Sequence, residues 1–420
     1  MKYDVLIIGA GAAGLMAMRE LIKSGYQVCI LEATGIAGGR IHTIKENGFD
    51  DTVETGPEFI HGNLERTQQL VKEAGLSLIP VTGKMVSVQK GKWLTEDDED
   101  EHWDVFMKRL QQQEDDITIE QFLQQYFSAT QYASLRNAVQ HYAEGFDLAD
   151  ISKASVLFVK EEWSQHNEVN YRIKGGYGKL IDYLQQQCMQ QHDDIFFNHP
   201  VYKIEHYPGH VTAHTINNKT ISASKLIVTV PLGVLQNNSI EFMPALASHS
   251  TAIAQLGFGT VIKILLQFKT AFWKKHADDI GFILSDETIP TWWTQSPIQN
   301  NLLTGWLGGP KAAMLSRLTN DALLQTALHS LSAIFHKSMP VLQQLLTHHK
   351  IICWSNNPYI QGGYSYNTIA SAEAKNILAT PVNNTIFFAG EAYYTGKSQG
   401  TVEAALQSGR EAAGKLRAFI

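Results

Sequence analysis

Apolar positions along this chain follow two rhythms. Short, near-continuous apolar runs mark strands covered on both faces, and apolar residues at every third or fourth position mark helices. The first run, Val5 to Ile8, leads into Gly9, Gly11 and Gly14, after which Leu15 to Lys23 has helical spacing. Gln27 to Leu31 is a second strand, with Glu32 at its end. From Asp97 to Asp150 the pattern turns helical and polar, with Trp103, Phe106, Met107 and Leu110 on one helix and Ile119 to Phe127 forming another. Those aromatics read as core. Residues 195 to 231 return to strand character, in Val201 to Tyr207, His210 to Thr215 and Leu226 to Val230, which Pro231 ends. Gly259 to Phe268 is a long strand, with further strands to Trp306 and helices from Thr319 to Leu346. Thr385 to Phe388 is a last strand before Gly390 and Glu391, and Thr401 to Leu416 is a helix rich in small residues. No internal repeat or long linker interrupts the pattern.

This order predicts an α/β fold. A Rossmann-like cofactor domain built from 1–80, 195–240 and 350–420 is interleaved with an α+β substrate domain built from 81–194 and 241–349. The opening unit carries the first chemistry. Gly9 makes the tight strand-to-helix turn, Gly11 (with Ala13 in the same turn) lets backbone approach a pyrophosphate, and Gly14 lets helix pack on sheet. The helix N-terminus offers unpaired N–H groups to the phosphates. Glu32, 18 residues beyond Gly14, is placed to accept hydrogen bonds from ribose hydroxyls. That acid suits NAD and FAD equally. Gly39 and Arg40 follow, and an arginine presented by glycines can close over a pyrophosphate as a bidentate clamp.

Composition narrows the partners. The 420 residues leave room for two sizeable domains, and 44% hydrophobic with 18% charged residues is ordinary for a globular protein. A formal charge of −7 argues against nucleic acid and mildly favours cations. The run Glu96 to Glu101 reads as a solvated face. Cys29, Cys188 and Cys353 are isolated, so no metal site is expected. A strand beginning at residue 3 leaves no space for a signal peptide, and no apolar run is long enough to span a bilayer. A cytoplasmic protein without a membrane anchor is expected; the oligomeric state is left open.

The Gly38-Gly39-Arg40 continuation resembles the glutathione-reductase-like flavoproteins of the amine oxidase type, which implies FAD. Four further segments, spread over the whole chain, resemble the flavin-containing amine oxidase family. Phe388-Ala-Gly390-Glu391 through Gly400-Thr401-Val402 and on to Ala413 looks like its closing motif, which holds the ribityl and isoalloxazine. Gly259 to Phe268 resembles the strand that delivers the family's active-site lysine, here Lys263, which in the family holds a water at flavin N5 and assists reoxidation. Trp354 and Gly362-Gly363-Tyr364-Ser365-Tyr366 resemble the segment lining the flavin face. Thr55 to Gly62, with Gly56, Pro57, Glu58, Phe59 and His61, matches the loop that passes along the isoalloxazine. Val201, in the second cofactor segment, is expected among the cofactor contacts.

Departures from the family are informative. Gly363 stands where monoamine oxidases carry the cysteine that tethers the flavin, which implies non-covalent FAD. Thr401 stands where those enzymes place a second tyrosine, and is similar to spermine oxidases and histone lysine demethylases. His61 in its Ile-His-Gly setting resembles polyamine oxidases, with packing on the flavin edge as its alternative. The loop has no arginine of the kind L-amino acid oxidases use. The resemblance thus implies a small amine, primary or secondary, as substrate and oxygen as acceptor, with hydrogen peroxide released and Tyr364 facing the amine. Two alternatives stay open: another FAD oxidoreductase of this fold (a desaturase or a protoporphyrinogen-oxidase type), or a non-catalytic FAD-binding protein. The amine is not legible; Trp292, Trp293 and Trp306 are candidates for its pocket walls.

Overall fold

The computed structural model describes residues 3–94, 102–163, 169–189 and 194–419; the acidic run Glu96 to Glu101 lies outside them. Two large sheets stand on either side of one central cavity. The first is eight-stranded among the described residues. Its parallel centre runs 194–196, 28–31, 3–8 and 220–228. The long strand Thr220–Val228 then divides its outer edge. Its first half pairs antiparallel with His210–Thr215 and its second half pairs parallel with Ile386–Phe388. Both faces of Tyr3–Ile8 are covered, which is why its apolar run is unbroken. Val5 and Ile7 pack beneath the helices Ala12–Ile22 and Val402–Arg417, and Leu6 and Ile8 pack on the opposite core.

Those two helices approach closely because small residues face each other. A methyl group built on Gly409 would lie 2.2 Å from the Ala13 carbonyl. Gly14 does the same against the sheet, where an added methyl would sit 2.0 Å from the Gly9 carbonyl.

The second sheet is seven-stranded among the described residues, in the order 346–353, 261–268, 302–308, 291–293, 280–285, 84–89, 92–93. Ile262, Ile264 and Leu266 of its central strand Val261–Phe268 pack on the helix Asn320–Phe335. By strand alternation Lys263, Leu265 and Gln267 therefore face the other way, toward the first sheet and the cavity. Helices between Trp103 and Trp163 form a third block around an aromatic core.

Packing divides the chain differently from the expected boundaries. The helix Gly178–Cys188 lays Leu180, Ile181, Leu184 and Cys188 against Ala12–Ile22, so it belongs to the cofactor side. Glu241–Met243 joins the first sheet as an edge strand, and Ala247–Gln255 packs beside Ser371–Leu378. Conversely, Leu346–Cys353 pairs with the lysine-bearing strand of the second sheet. Each segment lies where its apolar face is covered, which sequence order alone does not reveal. Among the described residues no helix is long and apolar enough to cross a membrane.

Candidate active site and cofactor cradle

One cavity of about 1490 Å³ runs from the first glycine turn to the helical block. It exceeds the usual range for sites of drug-sized ligands, which is about 300–1,000 Å³. Every expected catalytic or cofactor-binding residue lines it except Gly14, which lies beneath the turn as a packing contact.

At the nucleotide end, Gly9 takes a φ of +105°, open to glycine alone without strain. Gly11 caps the helix Ala12–Ile22 and has no side chain to bond its first N–H groups. An added methyl on Gly11 would meet nothing within 4 Å. Open space thus stands before a helix N-terminus whose N-cap supplies no side-chain acceptor, which fits a pyrophosphate. Glu32 is held by the Ala10 N–H at 2.7 Å on one oxygen and by the Thr34 N–H and hydroxyl at 2.8 Å on the other. A carboxylate has about four acceptor sites, so a ribose can still be bound.

In the middle of the cavity one arm of Arg40 is held by the protein itself. Its Nη1 donates to Glu391 Oε1 at 2.9 Å and to the Gly363 carbonyl at 2.5 Å. Glu391 Oε2 accepts from the Ser365 hydroxyl at 2.6 Å. One arm of the guanidinium therefore ties the opening motif to two C-terminal segments, because a buried carboxylate lies closer than open cavity. Trp354 Nε1 donates to the Thr55 carbonyl at 3.0 Å and pins the 55–62 loop. Gly400 has a φ of +73°, and the Thr401 hydroxyl caps Val402–Arg417 by accepting from the Ala404 N–H at 3.2 Å. A second helix N-terminus is thereby aimed at the cavity.

Lys263 stands at the junction of cofactor and substrate regions. Its buried ammonium donates to Glu58 Oε2 at 2.9 Å and to the Gly56 carbonyl at 3.1 Å, and lies 5.5 Å from the Trp293 ring centre. The other Glu58 oxygen accepts from Arg172 Nε at 2.9 Å and from Trp293 Nε1 and Gln295 Nε2, each at 3.1 Å. Burial works against the Glu58 charge, but Lys263 and Arg172 overcome it and hold the carboxyl at about 2. Glu58, expected among the cofactor contacts, lines the cavity, and its oxygens anchor two cations, an indole and the Gln295 amide.

Beyond Lys263 the cavity becomes aromatic. Tyr364 stacks on Trp306, with ring centres 6.5 Å apart and planes at 25°. The Tyr364 hydroxyl donates to the Phe146 carbonyl, and Trp306 Nε1 donates to the Gly145 carbonyl at 2.7 Å. Two cavity aromatics thus cap the end of the helix Ala133–Phe146, whose Ser134, Asn137, His141 and Tyr142 line the cavity on one face. His61 is exposed, with Nδ1 3.0 Å from Asn170 Oδ1 and its ring edge-on to Phe146 at 5.8 Å. Of the three candidate tryptophans, Trp293 and Trp306 line the cavity and Trp292 does not. Trp292 precedes Trp293 on a strand, so it points through the sheet into the core over Gly305. Trp103, read as core, reaches the cavity as well.

Two acids at this end carry no sequence signal of their own. Asp147, at the C-terminus of that helix, is buried and accepts from Trp163 Nε1 at 3.0 Å. Burial pushes it up to about 8, with a smaller upward push from Glu162. Burial and then Glu161 push Glu162 up to about 6. Both line the cavity. Arg172 also escaped the sequence reading; only its place in the strand Asn170–Ile173, beside His61 and Ile60, joins it to the loop.

The nucleotide cradle, the second helix N-terminus and the buried lysine define a dinucleotide-dependent oxidoreductase site. Residues 12–417 match the flavin containing amine oxidoreductase family. The chain belongs to that family, and its cofactor is FAD. Lysine-specific histone demethylase 1B of Mus musculus is 29% identical over 456 residues, covering 99% of this chain and 53% of the relative. The chain spans about half the length of that relative and of several others like it. Polyamine oxidase 4 of Oryza sativa subsp. japonica is 26% identical, covering 99% of this chain and 89% of that protein. Putrescine oxidase bound to putrescine superposes with a TM-score of 0.83 at 19% identity, over 100% of this chain and 99% of that one. Cyclohexylamine oxidase from Brevibacterium oxydans IH-35A gives 0.81 at 20%, over 99% of each chain. These solved structures share the fold.

Proposed function

We propose that this chain is an FAD-dependent amine oxidase that converts a primary or secondary amine to an imine, with oxygen reduced to hydrogen peroxide. The observation that carries this reading is the Lys263 ammonium, held by Glu58 at 2.9 Å, where the cofactor cradle meets a wall of Trp293, Trp306 and Tyr364. Bound FAD supplies the acceptor for two electrons and a proton from the substrate carbon. The protein supplies binding, orientation and electrostatics.

Tyr364 and Trp306 present stacked aromatic faces to the amine. Their bonds to the Phe146 and Gly145 carbonyls fix both rings before substrate arrives. The substrate amine must be neutral to react, so turnover rises with pH. Lys263 orders a water and returns a proton during reoxidation. Gly363 offers no side chain for a covalent tether, which supports non-covalent FAD.

Asp147 and Glu162 favour a second positive charge in the substrate. A distal ammonium beside them recovers the interaction that burial denies two carboxylates, and the carbonyl end of the helix adds to it. Polyamines meet that requirement and simple monoamines do not. The test is peroxide release from spermine, spermidine and putrescine against tyramine, benzylamine and an N-methyl-lysine peptide. Preference for di- and polyamines is expected. Equal turnover of benzylamine would remove the role given to the two acids, and turnover of the peptide alone would replace the small-amine reading.

A further inference from the structure

Behind Glu58, separated from the substrate cavity, is a second cavity of about 50 Å³. Glu54, Glu58, Arg172, Leu265, Gln295 and Thr304 line it, and it reaches the surface at Asp51 and Ile298. Glu58 is the residue common to both cavities, so its carboxylate is the partition between them. The sheet explains the placement. Lys263 pairs with Trp306 and Leu265 with Thr304 across the strands Val261–Phe268 and Leu302–Gly308. Residues two apart on a strand share a face, about 7 Å from one another. The chamber therefore lies at the next pair on the same face of the sheet, two register pairs along from Lys263.

Its lining asks for water. A water needs at least about 10–15 Å³ and two or more polar partners, and the chamber exceeds both. Thr304 Oγ1 is buried and has no hydrogen-bond partner among the described residues. A buried hydroxyl left unpaired is costly, and a water in the chamber satisfies it. Glu54 accepts from the Thr43 hydroxyl at 2.9 Å and the Tyr177 N–H at 2.6 Å. Burial raises it to about 7 against the pull of those donors and of Lys263, with Glu58 adding to the rise. The ionisable groups around it are Lys263, Glu58, Arg172, Tyr177 and Asp51.

We infer that this chamber is a water-filled proton-exchange site through which Lys263 and Glu58 trade protons with solvent while oxygen is reduced. The inference rests on the oxidase reading above. Oxygen becomes hydrogen peroxide by taking a hydride equivalent from reduced FAD and one further proton. That proton leaves the Lys263 ammonium as an N–H bond breaks and a peroxide O–H bond forms. With Lys263 neutral, Glu58 loses its strongest opposing charge, and its carboxylate can relay to Lys263 a proton that Glu54 in its acid form delivers through the chamber water. Solvent at the Asp51 mouth then restores Glu54.

The test uses holoenzyme reduced with dithionite, so no amine is required, then mixed with aerated buffer across a pH series. Wild-type reoxidation is expected to fall as pH rises through about 7. Glu54→Gln should lose that inflection and slow by about tenfold or more below it. Thr304→Val, nearly the same shape but without the hydroxyl, should slow while keeping the inflection. Two readouts need no turnover. Infrared spectra of resting holoenzyme should show a carboxylic-acid band that titrates near 7 and is missing in Glu54→Gln, and a crystal structure should show water on Thr304 Oγ1. A dry chamber, or wild-type rates and pH profile in both variants, overturns the inference. Wild-type reoxidation no faster than that of free flavin removes it together with the oxidase reading. Failure of every amine to reduce the flavin, with reoxidation as expected, removes only the substrate assignment.

Discussion

Replacing Glu58 with Gln strips the carboxylate from a buried set of three charges. The side chains of Glu58, Lys263 and Arg172 are only 5%, 1% and 7% exposed, so water cannot take over. Two routes give the magnitude. Removing one partner of a buried ion pair costs roughly 3–5 kcal/mol, because the other charge is left uncompensated. Independently, the fall of the Glu58 pKa from 4.5 to about 2 corresponds to about 3 kcal/mol at roughly 1.4 kcal/mol per unit. The sign follows from linkage. The folded-state pKa is the lower one, so this contribution is complete above 4.5 and is lost as pH falls toward 2. The assay is urea denaturation of FAD-saturated wild type, Glu58→Gln, Lys263→Met and the double variant. Glu58→Gln should lose about 3–5 kcal/mol at neutral pH, and the double variant should recover part of it by removing the stranded ammonium. The wild-type advantage should shrink in acid. A loss under about 1 kcal/mol, or strict additivity in the cycle, would refute the reasoning.

Four further outcomes are expected. Lys263→Met should retain FAD but be reoxidised by oxygen at least about tenfold more slowly; an unchanged oxidative rate constant in stopped flow would end that role. Gly11→Val has room for its side chain only where the pyrophosphate goes, so fluorescence titration should show FAD affinity falling by about tenfold or more with the fold intact. Gly14→Ala, whose methyl would lie 2.0 Å from a carbonyl, should instead destabilise the protein by roughly 1–3 kcal/mol. Asp147 is the reverse of Glu58: its raised pKa gives a contribution present below 3.8 and lost as pH rises through about 8. Asp147→Asn should therefore flatten the pH dependence of stability over that window in thermal melts, and should raise KM for a diamine more than for a monoamine.

What the sequence disclosed follows from how each part is built. The phosphate cradle is local backbone, so Gly9, Gly11 and Gly14 announce it by spacing alone. Lys263 is legible because a lone cation inside an apolar strand requires a partner, but that partner is not. Glu58 and Arg172 are 114 residues apart and meet only in the folded chain. Trp292 and Trp293 are equivalent as letters, and alternation sends one to each face of a sheet whose buried side the sequence does not label. The helix Gly178–Cys188 carries an ordinary apolar stripe that suits either domain. Asp147 and Glu162 look like any acids at helical spacing until burial shows their cost.

The most direct measurement is anaerobic flavin bleaching of purified holoenzyme by di- and polyamines, monoamines and L-amino acids, followed by admission of air. Rapid bleaching by di- or polyamines, with colour restored by air and peroxide formed, is what the arrangement of Lys263, Tyr364, Trp306 and the two acids predicts. A flavin that dithionite reduces but no amine bleaches would contradict it, and would point to the desaturase-like or non-catalytic alternatives.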